Sequence, residues 1–87
     1  MTAGLNVLSE VRTVVGGALG ISERIRNADA SMALLGAVPE LDSMAVVSLI
    51  AALEDHFGFS VADDEISAAT FETLGALAGF VEEKLAR

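Results

Sequence analysis

The chain has 87 residues, 53% of them apolar and 21% charged, with thirteen acidic side chains against five basic ones and no cysteine. That length makes one domain over residues 1–87 with a modest core, and that composition argues against disorder. Disulfides, thiolate metal sites and thiol nucleophiles are excluded, no apolar run is long enough to span a bilayer, and no basic segment precedes an apolar core as in a secretory signal.

A cytoplasmic location is therefore expected. Leu5, Leu8, Val11, Val15 and Leu19 recur at helical spacing and predict a first helix from about Ala3 to Ala18, with Val7 and Val14 flanking its stripe and widening it. Gly16, Gly17 and Gly20 weaken and then end it. A long connection follows to about Leu41, of a length uncommon unless the loop packs or works. Ser22-Glu23-Arg24-Ile25 can form one short turn there, and Ile21, Ile25, Met32, Leu34, Leu35 and Val38 can fasten the rest to a bundle. Pro39 cannot sit inside a helix and biases Val38 to an extended shape, so it marks the approach to the next element.

Asp42 is a good helix N-cap, and Ser43 falls at the first exposed turn. From there Val46, Leu49, Ile50, Leu53 and Phe57 draw one apolar stripe down a second helix of about four turns, Ser43 to about His56. Met44, Val47, Ser48, Ala51, Glu54 and Asp55 face away from that stripe. Gly58 is placed to take the left-handed conformation just past the end, and Phe59 and Val61 return the chain to the core. Asp63-Asp64-Glu65-Ile66 predicts a short third helix, capped by Ser60 or Asp63, with carboxylates at its positive end and Ile66 as anchor. Thr70 or Thr73 can start a fourth, with Leu74, Leu77, Val81 and Leu85 as its stripe and Phe80 beside it. Three longer helices, a short one and no alternating pattern predict an all-α bundle.

Charge is unevenly spread. Residues 1–39 are neutral overall, whereas residues 40–87 carry ten acids against Lys84 and Arg87 and hold the entire net charge of −8. Such a face repels nucleic acid and suits basic protein partners. Ser43 stands where a helix offers unpaired N–H groups and a positive dipole end, which favours an attached anionic phosphate. The lone His56 lies at the other end of the same helix, so a serine hydrolase triad is poorly supported. One histidine without a ligand cluster is not a metal site either. Met44, Val47 and Ala51 form a small apolar strip beside the serine, and a soft methionine suits a surface that meets several enzymes. Gly75 and Gly79 point to close packing of the last helix against a neighbouring helix, or to room for a bound chain.

Glu40-Leu41-Asp42-Ser43-Met44, with Leu34-Leu35-Gly36 before it and Leu53-Glu54-Asp55-His56-Phe57-Gly58 after it, resembles the acyl carrier proteins of the stand-alone bacterial type. The likeness runs from about Leu34 to the C-terminus. It implies a four-helix bundle, with a short third helix and a long loop between the first and second helices. It also implies a 4′-phosphopantetheine arm on Ser43, attached from coenzyme A by a separate phosphopantetheinyl transferase, and an acyl group held on the arm as a thioester. The carrier itself would then be no enzyme. Asp42, Met44, Val47, Ala51, Glu54, Asp55, Asp63 and Asp64 would meet partners with basic patches: the transferase, acyl- or aminoacyl-activating ligases, acyltransferases and synthases. Ala45 and Ser48 stand where carriers of fatty acid synthesis usually have acids. That departure points to a specialised lipid, polysaccharide-associated or secondary-metabolite pathway. Two alternatives accompany this reading: an aminoacyl or peptidyl carrier fed by an adenylating ligase, and a helical adaptor that binds basic proteins and carries nothing. A monomer is expected.

Overall fold

The computed structural model describes the backbone of residues 3–86 and the side chains of residues 7–86. Four α-helices follow in order: α1 (Ala3–Leu19), α2 (Ser22–Ile25), α3 (Ser43–Phe57) and α4 (Leu74–Ala86). The short third helix of the sequence reading is a pair of 3₁₀ turns, Asp63–Glu65 and Ala68–Phe71, between α3 and α4. No strand is present among the described residues, only an isolated antiparallel bridge between Ala33 and Thr73. The all-α expectation holds, and α1 packs against α2, α3 and α4.

Because α1 is covered from several sides, its buried arc is wider than one stripe. Val7, Val11, Val14 and Val15 are all buried, while Leu8 and Leu19 are only partly covered. Val7 and Val14 thus widen the stripe as expected and are themselves core; the side chain of Leu5 lies outside the described residues. At the end of α1, the Gly16 carbonyl accepts the Ile21 N–H at 2.9 Å. A Cβ at Gly16 would come within 3.0 Å of Ser22 and Ile25, so its bareness lets α2 cross closely.

The long loop is fastened by backbone hydrogen bonds that no side-chain pattern signals. Leu74 and Gly75 donate their N–H groups to the Met32 and Ala30 carbonyls at 2.9 and 2.8 Å, and Leu34 and Leu35 donate to the Glu72 and Phe71 carbonyls at 2.9 and 3.0 Å. Two of the four donors that a helix start leaves unpaired are satisfied by this loop. Thr73 satisfies a third, accepting the Ala76 N–H on Oγ1 at 3.0 Å, and its carbonyl takes the first intrahelical bond, from the Leu77 N–H at 3.1 Å. Of the two expected starts, Thr73 is the one used; Thr70 lies in the preceding turn, where its Oγ1 accepts the Ser67 N–H at 3.3 Å. So anchored, the loop delivers Leu34, Val38 and Leu41 into the core beside Ile21 and Ile25.

Leu49 and Leu53 of α3 and Leu74, Leu77, Ala78 and Val81 of α4 complete that core, with Phe71 from the second 3₁₀ turn. Leu85 stays exposed, so the α4 stripe closes at Val81. Neither Ser60 nor Asp63 caps the first 3₁₀ turn. Glu65 reaches back instead, its Oε1 accepting the Ala62 N–H at 2.9 Å and a hydrogen bond from Lys84 Nζ at 2.8 Å. Lys84 also sits 5.9 Å from the centroid of the Phe59 ring, which stacks on Phe57.

The two glycines of α4 do different things. A Cβ on Gly75 would lie 2.8 Å from the Ala30 Cβ and 2.9 Å from its carbonyl oxygen, whereas Gly79 has nothing within 4 Å. The close approach is to the loop, not to a neighbouring helix. Gly75→Ala is therefore expected to destabilise the fold by about 1–3 kcal/mol through overpacking. Gly79→Ala, in an open helix interior, should stabilise it by roughly 0.5–1 kcal/mol. Thermal or urea denaturation of the two variants checks the opposite signs.

Candidate functional site

Asp42 is extended (φ −99°, ψ −175°) and turns the chain into α3. Its Oδ1 accepts the Ala45 N–H at 2.8 Å, and its carbonyl accepts the Val46 N–H at 3.0 Å. The N–H groups of Ser43 and Met44 are left as the first-turn donors with no intrahelical acceptor. Ser43 is the first residue of α3 and is exposed. Leu41 behind it is buried, and the Leu41 N–H donates to the Val38 carbonyl at 3.0 Å, so the approach to the serine is pinned from inside. Arg24 pins it from outside. Its Nη1 and Nη2 donate to Glu40 Oε2 and Oε1 at 2.7 and 2.8 Å, tying α2 to the residue two places before the cap. That hydrogen bond, with the charge of Arg24, holds the Glu40 carboxyl below its ordinary range and raises the Arg24 guanidinium.

The serine oxygen is thus open to solvent at the positive end of a four-turn helix, beside two free donors, with the neighbouring Asp42 carboxylate turned toward Ala45. This donor set fits an anionic phosphodiester. It supplies no base. His56 ends the same helix and lies 2.9 Å from Glu10 Oε1 on α1, edge-on to Phe57. The histidine is therefore partnered across α1 and α3 rather than freely solvated.

Beyond Ser43 the outer face of α3 carries Met44, 77% exposed, and Val47, 65% exposed, followed by exposed Ala51 and Asp55. Asp63 and Asp64 are exposed on the following turn. Glu54 differs from the other acids: it is half-buried, and its Oε2 accepts the Val61 N–H at 2.8 Å. Between α3 and this turn runs a groove of about 270 Å³, walled by Val47, Ile50, Ala51 and Glu54 on one side and Val61, Asp63 and Ile66 on the other. The fold therefore gathers the predicted serine, apolar strip and acids along one side of α3. Sequence reading missed the Arg24–Glu40 and Glu65–Lys84 pairs, which join residues 16 and 19 positions apart with no local pattern to announce them.

Residues 9–81 match the family model described as the phosphopantetheine attachment site, and the chain belongs to that family, whose prosthetic group is 4′-phosphopantetheine. Within it, the function is that of an acyl carrier protein. The solution NMR structure of holo acyl carrier protein from Nitrosomonas europaea is 60% identical to this chain, with a TM-score of 0.86 and an alignment covering 92% of this chain and 96% of that one. No curated protein matches the chain. Carrier domains of this family work with a phosphopantetheinyl transferase and synthase-type enzymes. No described helix is long and apolar enough to cross a membrane.

Two predictions concern how the serine is held. Asp42→Ala should cost about 1 kcal/mol by uncapping α3, and Asp42→Asn, which keeps an acceptor, much less; equilibrium unfolding compares them. Glu40 has a lowered folded pKa, so its bridge stabilises the fold above the ordinary glutamate range and loses that effect as pH falls through the lowered value. Glu40→Gln should therefore melt slightly below the parent at neutral pH, and the gap should close as melts are repeated down to about pH 3. A gap that persists in acid would mean that the carboxylate's shape matters and its charge does not.

Proposed function

We propose that Ser43 is the attachment point of 4′-phosphopantetheine and that this chain presents acyl groups, as thioesters on that arm, to partner enzymes. The observation that carries the proposal is the exposed Ser43 hydroxyl at the first position of α3, with its approach fixed by Asp42 and buried Leu41. The arm supplies a terminal thiol, which a chain without cysteine lacks. The chain's own residues do the rest. Asp42 holds the helix start in shape. The Ser43 and Met44 N–H groups and the α3 dipole stabilise negative charge at the serine oxygen. The chain performs no reaction; with no base near Ser43, the hydroxyl has to be activated by the transferase.

Met44, Val47 and Ala51, rimmed by Asp42, Asp55, Asp63 and Asp64, make the docking surface for that transferase and for later enzymes. Exposed apolar side chains supply contact area, and the acids steer partners that carry basic patches. Glu54 contributes to the same surface with one oxygen already committed to Val61. Ala45 and Ser48 leave the upper part of α3 without acids, which favours a specialised lipid, polysaccharide-associated or secondary-metabolite pathway over housekeeping fatty acid synthesis. The chain works as a monomer in the cytoplasm, loaded by an acyl- or aminoacyl-activating ligase or an acyltransferase.

The test is incubation with coenzyme A, Mg²⁺ and a broad-specificity phosphopantetheinyl transferase, followed by intact mass. The chain should gain one phosphopantetheine and Ser43→Ala none. No gain while a control carrier is loaded, or a gain that survives Ser43→Ala, overturns the assignment. Val47→Glu should leave stability within about 0.5 kcal/mol of the parent, as exposed substitutions do. The same change should raise KM for the transferase, measured by initial rates of loading.

A further inference from the structure

We infer that the pocket between α1 and α2 binds the phosphate group of a small molecule. This goes beyond the carrier reading: none of the pocket's residues belongs to the docking surface proposed above, and the site stands whether or not Ser43 bears an arm. The pocket measures about 280 Å³, close to the lower end of the range of about 300–1,000 Å³ for small-molecule sites. Ser9, Arg12 and Thr13 wall it from α1, and Ser22, Glu23 and Ile25 from α2, with Arg26 just past α2. Gly16 sets how near the two walls come, since a Cβ there would lie 3.0 Å from the Ser22 Oγ.

Its charges single it out. In a chain of net charge −8, two of the five basic side chains line this one pocket. Among the described cations, Arg24, Arg26 and Lys84 each meet a carboxylate, whereas Arg12 gives Nη1 to the neutral Ala28 carbonyl at 2.7 Å. That bond orients a half-buried guanidinium, leaves its charge uncompensated and leaves the other donors of its fork for a second acceptor. The acids closest in sequence are already engaged, Glu23 with Arg26, Glu10 with His56 and Asp29 with Ser31. Arg26 and Glu23 are 67% and 87% exposed, so their pair is weak and yields Arg26 to a stronger anion. A phosphate ester offers three strong acceptor oxygens, enough for both guanidiniums and the exposed Ser9 or Ser22 hydroxyl together; a carboxylate has two oxygens and less charge. Size decides as well. A polyanion such as nucleic acid meets the field of the whole acidic chain, whereas a small anion, within a screening length of about 8 Å, feels mainly the two arginines.

The experiment titrates inorganic phosphate, pyrophosphate and acetate into the isotope-labelled chain at fixed ionic strength. Amide NMR shifts of Ser9, Arg12, Thr13, Ser22 and Arg26 are followed with the arginine Nε–H signals. Phosphate and pyrophosphate should give saturating shifts centred on this group, pyrophosphate at the lower concentration, and acetate should not saturate. Arg12→Gln should weaken phosphate binding by about tenfold, the loss of one charge-assisted hydrogen bond. Arg26→Gln, at an exposed position, should weaken it several-fold without lowering stability. Arg24→Gln removes the same charge from α2 but lies outside the pocket, and should leave the affinity within about twofold of the parent. Phosphate shifts that do not saturate, acetate bound as well as phosphate, or equal losses in Arg24→Gln and Arg26→Gln overturn the inference. A phosphoserine peptide that binds more tightly than pyrophosphate overturns it too, by making a phosphorylated protein the ligand.

Discussion

The structure depends on the seam between the long loop and the start of α4. Ala30 and Met32 accept the first N–H groups of α4, Phe71 and Glu72 accept those of Leu35 and Leu34, and the fit requires a bare Cα at Gly75. The bonds of Leu34, Phe71 and Leu74 lie at buried residues, where an unpaired group is costly. Closing them turns a stretch that would otherwise be a floppy tether between α1 and α3 into a fixed wall. That wall places Leu34, Val38 and Leu41 in the core, and Leu41 in turn sets where α3 begins. The position of Ser43 in space is thus decided some distance away, at the other end of the bundle's connectivity.

From that anchored start, α3 does two jobs with two faces. Leu49 and Leu53 fill the interior, while Met44 and Val47 stay in solvent. Large exposed apolar side chains gain nothing in folding, and it is their place beside an open serine that supports the docking surface proposed above. The acids work in the same direction. The N-terminal part of the chain has no net charge, with Arg26 paired to Glu23 inside it and Arg24 reaching across to Glu40, and the later part leaves most of its negative charge unneutralised. The result is a domain whose acids and apolar strip lie on the same side as its exposed serine.

Ser43 has a helix dipole and two donors but no base, and the one histidine is engaged with Glu10 at the far end of α3. Such an arrangement stabilises an attached anion without promoting attack by the hydroxyl.

Helical periodicity made α3, its cap at Asp42, its exit at Gly58 and the exposure of Ser43, Met44 and Val47 legible from the residues alone, because each depends on neighbours within a turn or two. The order Glu40 to Met44 at the mouth of that helix, with Leu34-Leu35-Gly36 before it and Leu53 to Gly58 after it, indicates the carrier family. The rest depended on contacts between distant parts of the chain. Only the fold decided that Val7 and Val14 are core, since α1 is covered on more than one side, and that Leu85 is not. It decided that Gly75 faces a loop carbonyl while the similar Gly79 faces open space. It also decided that the short third helix is two 3₁₀ turns, held by Glu65 and Lys84 rather than by Ser60 or Asp63. Local periodicity records which side of a helix is apolar; what lies across from that side is set by packing, which the sequence encodes only through the whole chain at once.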